Sequence, residues 1–430
     1  MIGLESPTVA SALAGAASSP VRAGAAVGGA PFVQVRGRGA YAYDEQERAY
    51  VDYVMAYGPL LFGHAPPALL EGLDELASLG TVFGSTHPEE IRLAGRISRH
   101  LPCMERLRFV STGTEAVMSA LRVARAATGR TLILRFAGNY HGHFDAALVA
   151  AGASAQTGDS RESGIPPRAV ADIVVARYND LADVDRLLAA RWDDLAAIVV
   201  EPLVANMGLV EPVPEFLTGL FERARGARAL MIFDEVITWL RLGLGGAQAL
   251  LGFEPDLTTL GKVMGGGFPL AAFGGRADVM AALAPGGASF TGGTYSGNPF
   301  GVAMGHRVLD LLERDPAVWA RLEAAGQRLA DGLRRVLRAY ELPYAVSQRG
   351  SMVDFKFRPG PPVRNYDEAR AANGTAFARY YHAMRARGVL LAPSQNELMF
   401  LSTAHGECEI DATIRAAEGA LGELRAEGMV

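Results

Sequence analysis

The chain has 430 residues, half of them hydrophobic and a fifth charged, which is enough apolar material for a large core and more than one domain. Its 41 basic and 46 acidic residues leave a formal charge of −5, which argues against the basic face that a nucleic-acid partner requires. Cys103 and Cys408 are too few for a disulfide scaffold, Glu5 stands where a leader would be basic, and no apolar run has membrane-spanning length; free thiols, no membrane partner and a cytoplasmic location are expected.

Residues 1 to about 30 are rich in Ala, Gly and Ser, the composition of a mobile arm. Residues 36–44 and 48–53 read as a short meander. From Pro66 to about Gly297, apolar strands alternate with helical patterns, as in a mostly parallel sheet covered on both faces. Within it, 106–110 reads as a strand that runs through Ser111-Thr112-Gly113-Thr114-Glu115 into a helix reaching Ala127. Hydroxyls and a glycine at a helix start make a ready anion site, because free N–H groups and the positive end of the dipole face outward. An ordinary N-cap by Thr112 or Thr114 reads equally well.

The next strand ends at Phe136 and leads to Gly138-Asn139-Tyr140-His141-Gly142-His143, where an aromatic between glycines could stack on a ring. His141 and His143 alone do not make a zinc set, so no metal is expected. Residues 151–167, polar and Gly-rich, read as a lid or a surface loop. The run 196–200 ends in Glu201-Pro202 and is followed by Asn206, an amide placed to donate to a ligand oxygen or simply a polar loop residue. Residues 298–340 read as largely helical; beyond them come a strand at 352–357 and helices near 367–385 and 410–425.

Two charged residues carry the chemistry. The apolar run 229–233 ends on Asp234, and 257–260 is followed by Gly261-Lys262, 28 positions later. A buried parallel strand delivers such residues at its C-terminal end, where α/β ligands bind. Pyridoxal phosphate needs this pair: an amine to form a Schiff base with its aldehyde, and a carboxylate to keep its ring nitrogen protonated. Alone, the lysine reads as a solvated cation and the aspartate as a cap. Together with the loop at Thr112 they point to that cofactor.

The chain also resembles a known family, the class III, fold-type I aminotransferases, and among them most closely the glutamate-1-semialdehyde aminomutases. The resemblance runs from about Ser19 to the C-terminus and rests on Ser19-Pro20-Val21-Arg22-Ala23, Tyr57-Gly58-Pro59, Gly63-His64-Ala65, Thr112-Gly113-Thr114-Glu115-Ala116, Tyr140-His141-Gly142-His143, Phe233-Asp234-Glu235-Val236, Thr259-Leu260-Gly261-Lys262, Gly293-Thr294-Tyr295-Ser296-Gly297-Asn298-Pro299 and Ala392-Pro393-Ser394-Gln395. It implies a large domain at 61–300 with a mostly parallel seven-stranded sheet. It also implies an arm and small-domain segment at 1–60 and a smaller α+β domain at 301–430.

It further implies pyridoxal 5'-phosphate held by Lys262 and Asp234, with Tyr140 stacked on the ring, Val236 behind it and Asn206 near its phenolic oxygen. Thr112, Gly113 and Thr114 fall on the phosphate loop, and His141, Glu201 and Gly293 beside cofactor positions. Thr294 falls where the neighbouring subunit reaches the phosphate, which implies a homodimer with shared active sites. Arg22, Tyr57, Trp239 and Glu397 fall on the substrate side. Ala14 to Ser18, Tyr57, Trp239 and Asn396 depart from the aminomutase pattern. On that ground the expected reaction is transamination between a primary amine and an aldehyde of small substrates, such as an aminosugar in antibiotic biosynthesis; the true aminomutase and an epimerase at an amine-bearing carbon are the alternatives.

Overall fold

A computed structural model describes residues 12–149 and 164–430. Seven strands form the central sheet: β4 (Arg106–Val110), β5 (Leu132–Phe136), β6 (Ile173–Ala176), β7 (Leu195–Val200), β8 (Leu230–Asp234), β9 (Leu257–Leu260) and β10 (Ala271–Gly275), in the order β4-β10-β9-β8-β7-β5-β6. The pairs from β9 through β8, β7 and β5 to β6 are parallel, and β10 runs antiparallel to both its neighbours, β4 and β9. All seven except the outer β4 and β6 are buried along their whole length.

The period-two alternation of side chains splits these strands between two cores. Leu132, Leu134, Phe136, Ile198, Val200, Met231 and Phe233 pack on one face, against α1 (Pro214–Ala227). Ile133, Ala197, Val199 and Ile232 pack on the other, against α2 (Gly113–Thr128). Since β4, β5, β7, β8 and β9 point the same way, their C-terminal ends share one edge of the sheet, where ligands of open α/β sheets bind.

Two smaller sheets flank this one. β1 (Gln34–Arg38), β2 (Tyr41–Asp44) and β3 (Ala49–Asp52) form the meander, extended by β13 (Val389–Leu390) parallel to β3. β11 (Tyr344–Arg349), β12 (Met352–Pro359) and β14 (Met399–Phe400) form a three-stranded antiparallel sheet. The helices Val318–Ala339, Gly374–Ala386 and Glu407–Ala426 bury their apolar stripes with it in one core.

Two expectations need correction. The arm is not mobile throughout: Val27 is buried in that last core, and its carbonyl meets His382 Nε2 at 2.9 Å. The helix expected at 367–385 is two, Tyr366–Arg370 and Gly374–Ala386, because Asn373 interrupts the backbone and its side chain caps the second through Ala376 N–H at 3.0 Å. Most of the lid expected at 151–167 lies outside the described residues. No helix among them is long and apolar enough to cross a membrane.

Candidate active site

Asp234 closes β8 and is 5 % exposed. Three groups hold its carboxylate. Thr259, its register partner on β9, donates from Oγ1 to Oδ1 at 3.1 Å, and the Val236 N–H donates to the same oxygen at 3.1 Å. His141 Nδ1 stands 2.7 Å from Oδ2. Burial first, and Arg135 next, push the imidazole pKa down against the pull of Asp234, so a neutral ring with its proton on Nδ1 is the form that donates to an ionised carboxylate.

One strand over, Lys262 follows β9 with φ +47°, left-handed backbone that a residue with a Cβ adopts only under constraint. Its Nζ donates to the Tyr57 carbonyl at 2.6 Å. Burial pushes the amine pKa down and Arg241 adds to this, while Glu397, Glu201 and Asp234 oppose it. The result is an amine closer to its nucleophilic form than a surface lysine.

These two groups open onto a cavity of about 170 Å³. Its walls carry Tyr140, His141, Glu201, Asn206 and Val236, and Gly113 and Thr114 bring the start of α2 to it. Glu201 organises one wall: Oε1 accepts from Tyr140 N–H at 2.7 Å and Asn206 Nδ2 at 2.8 Å, and Oε2 from Ala205 N–H at 2.9 Å. Burial, with Asp234 nearby, pushes the Glu201 carboxyl up to about 8. Gly113 is required by packing, because a Cβ there would lie 2.9 Å from Val236 Cγ1.

Thr112 combines the two readings of its loop. It caps α2 in a capping box with Glu115, whose Oε2 takes the Ser111 and Thr112 N–H groups at 3.0 and 2.8 Å. The amides that open toward the cavity therefore belong to Gly113 and Thr114.

The substrate-side residues scatter. Glu397 is half-buried and close enough for its charge to be felt at Lys262, Tyr57 and Tyr140. Arg22 and Tyr57 line a second cavity of about 430 Å³ with Asp52 and His64, beyond the segment whose carbonyl holds Lys262. Gly293 and Thr294, expected on the cofactor side, are exposed in this chain. Trp239 does not belong with them: it is 1 % exposed, packs with Leu61, Phe109 and Leu260, and donates from Nε1 to the Leu244 carbonyl at 2.9 Å. The turn after Asp234 sends this ring into the core. Sequence reasoning missed Thr259, Leu203, Ile237 and Thr238. A threonine inside a strand buried on both faces was a legible signal for the first; the others depend on the path of loops.

The site fits pyridoxal phosphate on its own geometry. A held carboxylate and a buried amine open onto one small cavity, helix N–H groups reach it, and the space over Val236 exists because position 113 lacks a side chain. The chain belongs to the class-III aminotransferases, whose family model matches residues 24–405. It is 46% identical over 411 residues to the glutamate-1-semialdehyde 2,1-aminomutase of Thermomicrobium roseum, covering 95% of each chain. Among solved structures it resembles an omega-transaminase from Sphaerobacter thermophilus (TM-score 0.87, 34% identity, 95% of this chain and 94% of that one). It also resembles a transaminase with PLP bound (TM-score 0.85, 31% identity, 96% and 95%). The protein is a pyridoxal-phosphate-dependent enzyme of the fold-type I class.

Proposed function

We propose that this protein is a glutamate-1-semialdehyde 2,1-aminomutase, which moves an amino group between adjacent carbons of one substrate to form 5-aminolevulinate. The observation that carries this reading is its likeness to the Thermomicrobium roseum enzyme over 95% of both chains. The core position of Trp239 supports it too, because one of the departures that favoured a different substrate does not reach the cavity. A second reading, transamination between separate amine and carbonyl substrates, draws on the likeness to the omega-transaminase and on Tyr57 beside Arg22. The aminosugar and epimerase expectations find no such support.

Pyridoxal phosphate supplies an aldehyde for the amine and a ring that draws electrons from the carbon bearing nitrogen. The protein supplies the rest. Asp234, held from three sides, presents a fixed carboxylate to a ring N–H. Lys262 Nζ would take the proton from the substrate carbon bearing nitrogen and give it back across that nitrogen at the former aldehyde carbon, and would run the reverse exchange at the neighbouring substrate carbon. Gly113 and Thr114 N–H groups would hold the phosphate at the start of α2, and Asn206 Nδ2, steadied by Glu201, would donate to the ring oxygen. Glu397 stands at the mouth to meet the substrate's ammonium group. Gly293 and Thr294, exposed in one chain, reach the phosphate of a second copy, so the working unit is a homodimer.

Purified protein supplied with glutamate-1-semialdehyde alone is expected to release 5-aminolevulinate. Lys262→Ala is expected to lose the visible cofactor absorbance and to slow turnover on the order of a thousandfold or more. Brisk exchange between an added amine and an added carbonyl, with no 5-aminolevulinate, would install the second reading.

A further inference from the structure

Strand β12 carries a feature that the reaction above does not use. Val353, Phe355 and Phe357 alternate into the core of the three long helices. The opposite face begins with Met352, packed with Leu203, Leu209 and Phe400, and continues with Asp354 and Lys356, which are 6 % and 5 % exposed. The two form an ion pair, Nζ to Oδ1, at 3.2 Å. Burying such a pair in place of apolar side chains adds little or no stability, so its residues are there for what they hold.

They hold two loops. Lys356 donates to the Gln395 carbonyl, two residues before Glu397. Asp354 Oδ2 accepts from Leu209 N–H at 3.3 Å, three residues after Asn206. The loops also bond directly, Gly208 N–H to the Asn396 carbonyl at 2.8 Å. Gly208 has φ +89°, and a Cβ there would sit 2.6 Å from Lys356 Nζ, so the pair is pressed against the turn. We propose that Asp354 and Lys356 are positioning residues that clamp the loop of Glu397 to the loop of Asn206.

The clamp also bears on charge. Burial pushes the Glu397 carboxyl up to about 7, and Lys262 and Lys356 are the cations that oppose this. Tyr57 and Tyr140 are the other titratable groups facing it. Lys356 thus favours the ionised form of Glu397 against its burial, alongside Lys262. The inference rests on the proposed role of Glu397 at the mouth of the cavity.

The test compares the wild type with Asp354→Asn/Lys356→Met, each with and without Glu397→Gln. The double variant is expected to fold and to keep its cofactor absorbance, with a melting temperature lowered only by the lost donor to the Gln395 carbonyl. In the holoenzyme kcat/KM is expected to fall between about tenfold and a hundredfold. In the cofactor-free protein the infrared carboxyl band absent from Glu397→Gln is expected to titrate about one pH unit higher. Both changes disappear when Glu397 is already glutamine. A melting temperature that drops while the Glu397 titration stays put, or kinetic losses that simply add to those of Glu397→Gln, would reduce the pair to a structural one and overturn the proposal. Should the double variant not accumulate, Lys356→Gln answers the same question, since it keeps a donor for the Gln395 carbonyl and removes the charge. A wild type that takes up no cofactor would sink the functional reading, while the infrared titration would still judge the clamp.

Discussion

At the scale of single residues, the site depends on groups that several neighbours hold in place. Asp234 is steadied by a histidine, a threonine and a backbone amide, whereas Gly113 matters for the side chain it lacks. Gly113→Ala places a methyl 2.9 and 3.2 Å from the two methyls of Val236, a β-branched residue with little rotamer freedom to yield. It is expected to cost about 1–3 kcal/mol of stability and to weaken cofactor uptake by tenfold or more. Unfolding curves and an absorbance titration with pyridoxal phosphate would measure both, and normal uptake would remove Gly113 from the cradle. Lys262, Asp234 and Tyr140 stood out in the sequence because strand ends say where such side chains point, and the fold brings all three to one cavity. Trp239 was misread because a tryptophan beside a motif looks the same whether its ring enters a cavity or the core; only the turn after β8 decides.

At the scale of elements, the strands read from the sequence in the central sheet came through within a residue, while that expected at 352–357 runs on to Pro359. The run expected at 229–233 is Leu230–Asp234, and those at 106–110 and 257–260 match the observed strands. Long apolar runs between turn signals are hard to hide. The reversed direction of β10 was not legible, since Ala-Ala-Phe-Gly-Gly carries no mark of orientation. A turn between β14 and the last helix offers a test at this scale. Ser402 N–H donates to His405 Nδ1 at 3.0 Å, so the ring proton sits on Nε2, which meets the Asp52 carbonyl at 3.1 Å. A second ring proton would face an N–H. Burial and nearby His64 push this histidine down to about 4 from the usual 6.5, against Asp52 and Glu409. The unfolded chain then binds the extra proton first. Stability is complete above pH 6.5 and is lost as pH falls toward 4, by at most about 3 kcal/mol from this group. His405→Gln is expected to flatten the urea midpoint in that window; parallel curves for variant and wild type would refute the assignment.

At the scale of the whole molecule, the proposed homodimer can be tested at one exposed loop. Phe290 and Tyr295 are 74 % and 64 % exposed and bracket the Gly293–Thr294 pair. Exposed aromatic side chains beside this loop are consistent with the proposed contact between two copies of the chain. Sedimentation is expected to find a dimer, and Phe290→Asp is expected to shift it toward monomer with loss of cofactor from both sites. A monomeric wild type that retains full activity would end the shared-site proposal. The sequence offered only motif likeness here, because pairing between chains leaves no periodic trace.

The hydrogen bond from Lys262 to Tyr57 reaches further than its length. Its acceptor belongs to a run, Met55, Ala56, Tyr57 and Gly58, in which four successive residues have positive φ. A nitrogen condensed with an aldehyde keeps at most one hydrogen, so binding this turn and binding the coenzyme would draw on the same atom. Loading the cofactor on Lys262 would therefore loosen this contact with the Tyr57 carbonyl, and freeing the amine would restore it.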